Sequence, residues 1–401
     1  MPNADAPPNG GLRAWMATSG GLAVQICTVG YINSFGFFQS YYTDHLLPGY
    51  TPSAISWIGS LQGFLLNFFG ILSGPLFDRF GIKAVIVPSG VVLVFSIMAT
   101  SLSTRYYQLM LAQGLLGGIA HGMVFTPSIS AVGQLFTTRR SCAVGIATIG
   151  SSVGGIILPI MMRELWLVVG FAWAIRIVGF VVLALIMYAS LVMEDLAHAR
   201  RRRRFFIPRA WSHPPYLLVN LGFLLALVGV YSPSVYIIDY SQSCGMTPSL
   251  AWYQVTIYNA ASLIGRLILN LAGDLFGPFN VSIFTYIYAA CSIFCWTAAT
   301  TPAGIVVWIS FYGFAAGAVL SIYVPVVAKV CPKPGDLGTY VGQGLAVCGL
   351  GVLAGTPATG ALIHHYGYLS ASMLCASTML AGAFCLLAAR FCLVKSVFAA
   401  V

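Results

Sequence analysis

The chain has 401 residues, of which 59% are hydrophobic and only 7% charged, whereas a soluble globular chain carries about a quarter charged residues. No water-facing surface can be assembled from that stock, so the bilayer is the solvent for most of the molecule. The formal charge of +10 does not indicate a nucleic-acid-binding module, because the basic residues sit between apolar runs and form no basic domain interleaved with aromatics.

The first 14 residues are polar and lack the basic region, apolar core and small-residue cleavage site of a secretory signal, which predicts a short cytosolic N-terminus. Apolar runs of spanning length, about 20 residues each, follow at 15–38, 54–77, 82–102, 106–131, 142–162 and 168–193. The longest polar interruption, 194–215, contains an arginine run at 200–204 together with Pro208, Pro214 and Pro215, and reads as a cytosolic linker. A second set of runs follows at 216–240, 251–275, 279–300, 304–328, 338–363 and 369–394, before a tail at 395–401. The prediction is an all-α membrane protein of about twelve transmembrane helices in two six-helix bundles, 15–193 and 216–394.

Charge placement orients that prediction. With the N-terminus in the cytosol, Arg13, Arg79, Lys83, Arg139, Arg140, the run at 200–204, Arg209, Lys329, Lys333, Arg390 and Lys395 fall inside, leaving only Arg105 and Arg163 outside. Both termini are therefore expected to be cytosolic, and the plasma membrane is the expected location. The ten cysteines show no metal-ligand spacing, and no phosphate loop, metal-binding helix or nucleophile elbow is present, so neither an enzyme, a cofactor site nor an ATP-driven pump is expected.

The two halves echo one another. Asp78, Phe80 and Gly81 after the second run recur as Asp274, Phe276 and Gly277 after the eighth, and Pro127 and Pro159 recur as Pro325 and Pro357. A carboxylate at a helix boundary can accept hydrogen bonds from the free amides of a helix N-terminus, or pair with a cation, and so latch one face of a bundle.

The stretch Gly74-Pro75-Leu76-Phe77-Asp78-Arg79-Phe80-Gly81 resembles the loop signature of the major facilitator superfamily. Gly10 to Trp15, and the region from Leu135 through Arg139, Arg140, Gly145 and Gly150 to Pro159, resemble signatures of its monocarboxylate transporter family, fungal branch. The resemblance implies secondary transport by alternating access of a small organic solute, a monocarboxylate or other organic anion, with or without a proton. It leaves open an efflux carrier for a fungal secondary metabolite, and a transporter-like sensor that moves no cargo. Gating is then expected to involve Gly74, Asp78, Arg79, Gly81, Arg139, Arg140 and Asp274.

Ionisable residues at membrane depth cost about 2.5 kcal/mol or more on insertion scales, so each needs a reason. Arg266 lies near the middle of the eighth run, where a guanidinium can hold a carboxylate by two parallel hydrogen bonds. The resemblance implies that an arginine there binds substrate, although Ser262 stands where mammalian-type members carry an aspartate. The first-run lysine of those members has no counterpart, since Phe35, Gly36, Phe37 and Phe38 are uncharged, which leaves His121 and Asp239 as candidate proton-linked groups. Further candidate substrate contacts are His121, Asn33, Gln62, Tyr236, Asn259 and Tyr323. Arg176 is expected to pair with Glu164 or to snorkel to the interface.

Overall fold

The computed structural model describes residues 10–50, 52–193 and 206–394; the arginine run and the two chain ends lie outside the described residues. Those residues are almost entirely helical, with eleven helices long and apolar enough to cross a membrane. In order they are α1 (Leu12–Gln39), α2 (Ala54–Phe80), α3 (Ile82–Leu102), α4 (Tyr106–Leu135), α5 (Arg140–Val169), α6 (Phe171–Val192), α7 (Pro214–Ser243), α8 (Leu250–Phe276), α9 (Pro278–Ala298) and α10 (Pro302–Val330). The last stretch, Leu337–Leu393, is two helices joined at Gly367, which has φ 81° and ψ 176°; we call them α11 (337–366) and α12 (368–393). Twelve spans result. The helix ends outrun the apolar stretches, as in α5, which extends well beyond the expected 142–162, because a helix continues into the headgroup layer where polar residues are tolerated.

Local chemistry explains the punctuation. Proline opens the α-helical runs at Pro214, Pro248, Pro278 and Pro302, where its missing N–H would be unpaired anyway. Left-handed glycines make the shortest connections: Gly81 between α2 and α3, Gly170 between α5 and α6, Gly277 between α8 and α9, and Gly367 between α11 and α12. These positions require φ between 78° and 88°, which a β-carbon disfavours. The same turn thus recurs between the second and third helix of each set of three, so the repeat seen in the sequence halves extends to quarters of the chain.

Two compact units can be distinguished. The first comprises Met1–Thr138, Ile146–Phe206 and Lys333–Ala346, and the second Arg139–Gly145, Ile207–Pro332 and Val347–Val401. Each unit therefore contains the opening turns of a helix from the other half of the sequence: α11 in the first, α5 in the second. Within the units helices touch backbone to backbone. A methyl group on Gly265 of α8 would strike the Phe314 carbonyl of α10, and one on Gly317 would strike Ser262. Such small-residue seams are how helices associate in lipid, where burial supplies no drive between them. Large apolar side chains such as Phe95, Leu191, Phe284 and Phe311 are exposed instead, as a lipid-facing surface requires.

Candidate functional site: a buried cation and two carboxylate clamps

The seam between α8 and α10 positions the cation. Gly265 against Phe314 and Gly317 against Ser262 fix how α8 is rotated, so Arg266 points into the second unit and is only 4% exposed. Its Nε donates to Ser262 Oγ at 3.3 Å, and the hydroxyl groups of Tyr258 and Tyr231 act on its charge. Tyr258, Ser262 and Arg266 follow at intervals of four and share one face of α8. Tyr258 is held by stacking on Tyr312 of α10 at 6.0 Å between ring centroids. Among the described residues no carboxylate pairs with Arg266. A guanidinium with Nε committed keeps its two terminal nitrogens for a planar, two-oxygen anion.

Two turns further along α8, Asp274 closes a clamp. Its Oδ1 accepts the amide hydrogen of Ser141 and its Oδ2 that of Cys142, each at 2.8 Å, and Arg140 lies beside it. In the first unit Asp78 does the same to α11: Oδ1 accepts from Gly338 N at 3.2 Å, and Oδ2 accepts from Thr339 N at 2.6 Å and Thr339 Oγ1 at 2.7 Å. Gln134 Nε2 adds a fourth bond to Asp78 Oδ1 at 3.3 Å. Since α5 begins at Arg140 and the last helical stretch at Leu337, both carboxylates bind the second and third amides of a helix. There the free N–H groups and the positive end of the helix dipole converge.

The remaining signature residues serve the clamps. Gly74 packs on Gly338, whose carbonyl a methyl group would hit. Gly81 makes the left-handed turn after α2, Arg79 lies over the Phe80 ring at 5.0 Å, and Arg139 is exposed.

The other candidates divide between the units. His121 is fully buried in the first, with Nδ1 2.5 Å from the Gly117 carbonyl, and Asn33 of α1 is half-buried. In the second unit Asn259 is buried with its amide nitrogen on the Val255 carbonyl, and Tyr236 donates to the Thr356 carbonyl at 3.1 Å. Tyr323 donates to Asn220 Oδ1 at 2.7 Å and stacks on Phe223, so its hydroxyl is already used in packing. Asp239 is exposed. Arg176 meets Ser101 Oγ of α3 at 3.2 Å, near the end of that helix, and lies over Trp173 at 5.0 Å, rather than pairing with Glu164. Sequence reading missed Tyr231 and Tyr258 as companions of Arg266, although the spacing of four from Tyr258 to Arg266 was there to be read.

Known proteins fit this architecture. The family model of the Major Facilitator Superfamily matches residues 21–253. The aspyridones efflux protein of Emericella nidulans is 40% identical over 95% of this chain and 78% of its own length. The agnestins efflux protein of Paecilomyces divaricatus is 36% identical over 92% of this chain and 86% of its own. A human organic anion transporter of known structure superposes with a TM-score of 0.77 at 15% identity, covering 94% of this chain and all of its own (100%). A proton:xylose symporter superposes with a TM-score of 0.69 at 15% identity, over 93% and 94% of the two chains. Twelve helices with recurring turns, matched clamps, a family model over more than half the chain and efflux relatives along nearly all of it lead to one assignment: this chain belongs to the Major Facilitator Superfamily, whose members carry small solutes across membranes.

Proposed function

We propose that this protein exports a small, acidic secondary metabolite of a fungus, binding its anionic group at Arg266 and moving it by alternating access. The observation that carries the reading is the buried guanidinium of Arg266, whose Nε is held by Ser262 and which pairs with no carboxylate among the described residues. A permanent charge at that depth needs an acceptor, and a cargo carboxylate or enolate supplies one. Efflux is favoured over uptake of a monocarboxylate because two relatives covering more than nine-tenths of this chain are named efflux proteins. The basic bias of the loops supports an orientation with both termini in the cytosol.

In this reading one clamp holds the start of α11 and the other the start of α5, and their release accompanies each turnover. The test is counterflow in proteoliposomes and export from yeast expressing the chain, using phenolic and enolic polyketides, simple monocarboxylates and the methyl ester of each acid. The expected result is movement of acidic polyketides and exclusion of their esters. Equal transport of acid and ester would remove Arg266 from the cargo site, and transport of simple monocarboxylates alone would restore the uptake reading.

A further inference from the structure

The two clamps rest on matched seams with different contents. Gly74 and Gly70 stand four and eight positions before Asp78, where Asn270 and Arg266 occupy the same places before Asp274. The gripped helices match too, since Gly342 stands four after Gly338 and Gly145 four after Ser141. The contacts repeat in the same order. A methyl group on Gly342 would strike the Gly70 carbonyl and come within 3.4 Å of Gly74 Cα. One on Gly145 would lie 2.9 Å from the Arg266 carbonyl and 2.7 Å from Asn270 Cβ. The seam in the first unit is therefore bare glycine, whereas its counterpart in the second unit has the buried cation and an amide built into it.

Asn270 is fully buried and touches both α10 and α5. Its Nδ2 donates to the Arg266 carbonyl one turn back, at 2.7 Å, and to Ser321 Oγ of α10. Ser321 Oγ in turn donates to the Gly317 carbonyl at 3.1 Å, within the seam that sets the rotation of α8. The Oδ1 of Asn270, on the Cγ that Gly145 faces, is buried with no hydrogen-bond partner. That acceptor gains water when α5 lifts away, so the seated helix is held against a cost. The charge of Arg266 acts in the same direction. With Gly145 seated on its main chain the residue is only 4% exposed, and burial penalises a cation that no anion compensates. By linkage, whatever compensates or removes the charge favours the seated helix.

We propose that in the second unit the cation site controls the carboxylate clamp, with Asn270 as the positioning residue between them. An anion on Arg266 tightens the hold of Asp274 on the start of α5, and a bare guanidinium loosens it. This rests on the reading of Arg266 as an anion site only for the identity of the compensating group. Amide hydrogen exchange of the full chain in lipid nanodiscs tests it, read by mass spectrometry at peptides covering Ser141 and Cys142 and, for comparison, Gly338 and Thr339. Without any ligand, Arg266→Gln is expected to slow exchange severalfold at Ser141 and Cys142 while changing Gly338 and Thr339 little. In Asn270→Gly, which copies the seam of the first unit, and in Asn270→Ala, adding Arg266→Gln should no longer slow exchange. An Asn270 that only packs would shift the level of exchange and leave that response intact. Orsellinic acid, a phenolic polyketide acid, is expected to slow the same amides in the wild type, and its methyl ester is not. An inert acid beside a responsive Arg266→Gln removes the anionic cargo and leaves the coupling standing. Exchange unchanged by Arg266→Gln, equal slowing at both clamps, or a response that survives both Asn270 substitutions overturns the proposal.

Discussion

Thr339 gives Asp78 both its amide hydrogen, at 2.6 Å, and its hydroxyl hydrogen, at 2.7 Å, so a single carboxylate oxygen takes two bonds from one residue. Asp274 binds Ser141 and Cys142 in the matching register but receives no side-chain hydroxyl in those bonds. The two clamps share one design and differ in strength, which gives them different mutational signatures.

Asp78→Asn is expected to reach the membrane in normal amount and lose about tenfold or more in flux. Hydrogen bonds to a charged group contribute about 1.5–3 kcal/mol, and the neutral amide forfeits most of that at the helix terminus. Thr339→Ala keeps the backbone bond and should lose less than Asp78→Asn, since only one of the bonds to the carboxylate goes. Flux normalised to surface abundance checks both, and wild-type rates in Asp78→Asn would show that the clamp does not limit transport.

Asp274→Asn should free the start of α5, and Cys142 reports it directly because its amide is one of the two held groups. Peptide-resolved alkylation with N-ethylmaleimide is expected to rise severalfold at Cys142 while the buried Cys27 and Cys348 stay protected. Unchanged labelling at Cys142 would mean that α5 stays docked without the carboxylate.

Arg266→Lys should bind acidic cargo more weakly by tenfold or more, since an ammonium cannot reproduce two parallel hydrogen bonds. Arg266→Ala should abolish transport of acids while the α8–α10 seam, built on Gly265 and Gly317, keeps the protein folded. Substrate-induced thermal shifts of purified wild type and both variants measure this. An alanine variant that loses melting temperature before it loses cargo recognition would identify the guanidinium as a packing group.

Gly81→Ala is expected to destabilise by roughly 1–2 kcal/mol through backbone strain, because φ is 86°, a conformation that a β-carbon disfavours. Gly74→Ala acts by another route, driving a methyl group into the Gly338 carbonyl and prying α11 from α2. Thermal unfolding should fall in both, whereas only Gly74→Ala should also slow flux beyond its loss of abundance.

Much of the fold was legible in the sequence because spanning a bilayer imposes a length and an apolar composition that local reading detects. The third span was expected at 82–102 and α3 occupies those residues. The division at Gly367 was harder, since a single left-handed residue between two helices leaves almost no polar gap. The chemistry of Asp78 was readable, a carboxylate suited to helix amides, but not its target, because the bond to Thr339 crosses 261 positions. Tyr323 illustrates the opposite difficulty: composition marks it as a polar residue at depth, and only packing reveals that Asn220 already takes its hydroxyl. Pairing Arg176 with Glu164 relied on closeness in sequence, whereas the partner it binds, Ser101, belongs to α3.

The separations within the two clamps also set an order for biogenesis. Asp274 emerges from the ribosome after its partners, with the amides of Ser141 and Cys142, 133 and 132 positions earlier, already synthesised. Asp78 must wait for Gly338 and Thr339, 260 and 261 positions later. During most of translation the carboxylate at the end of α2 therefore lacks the helix amides of α11 that it binds in the finished chain.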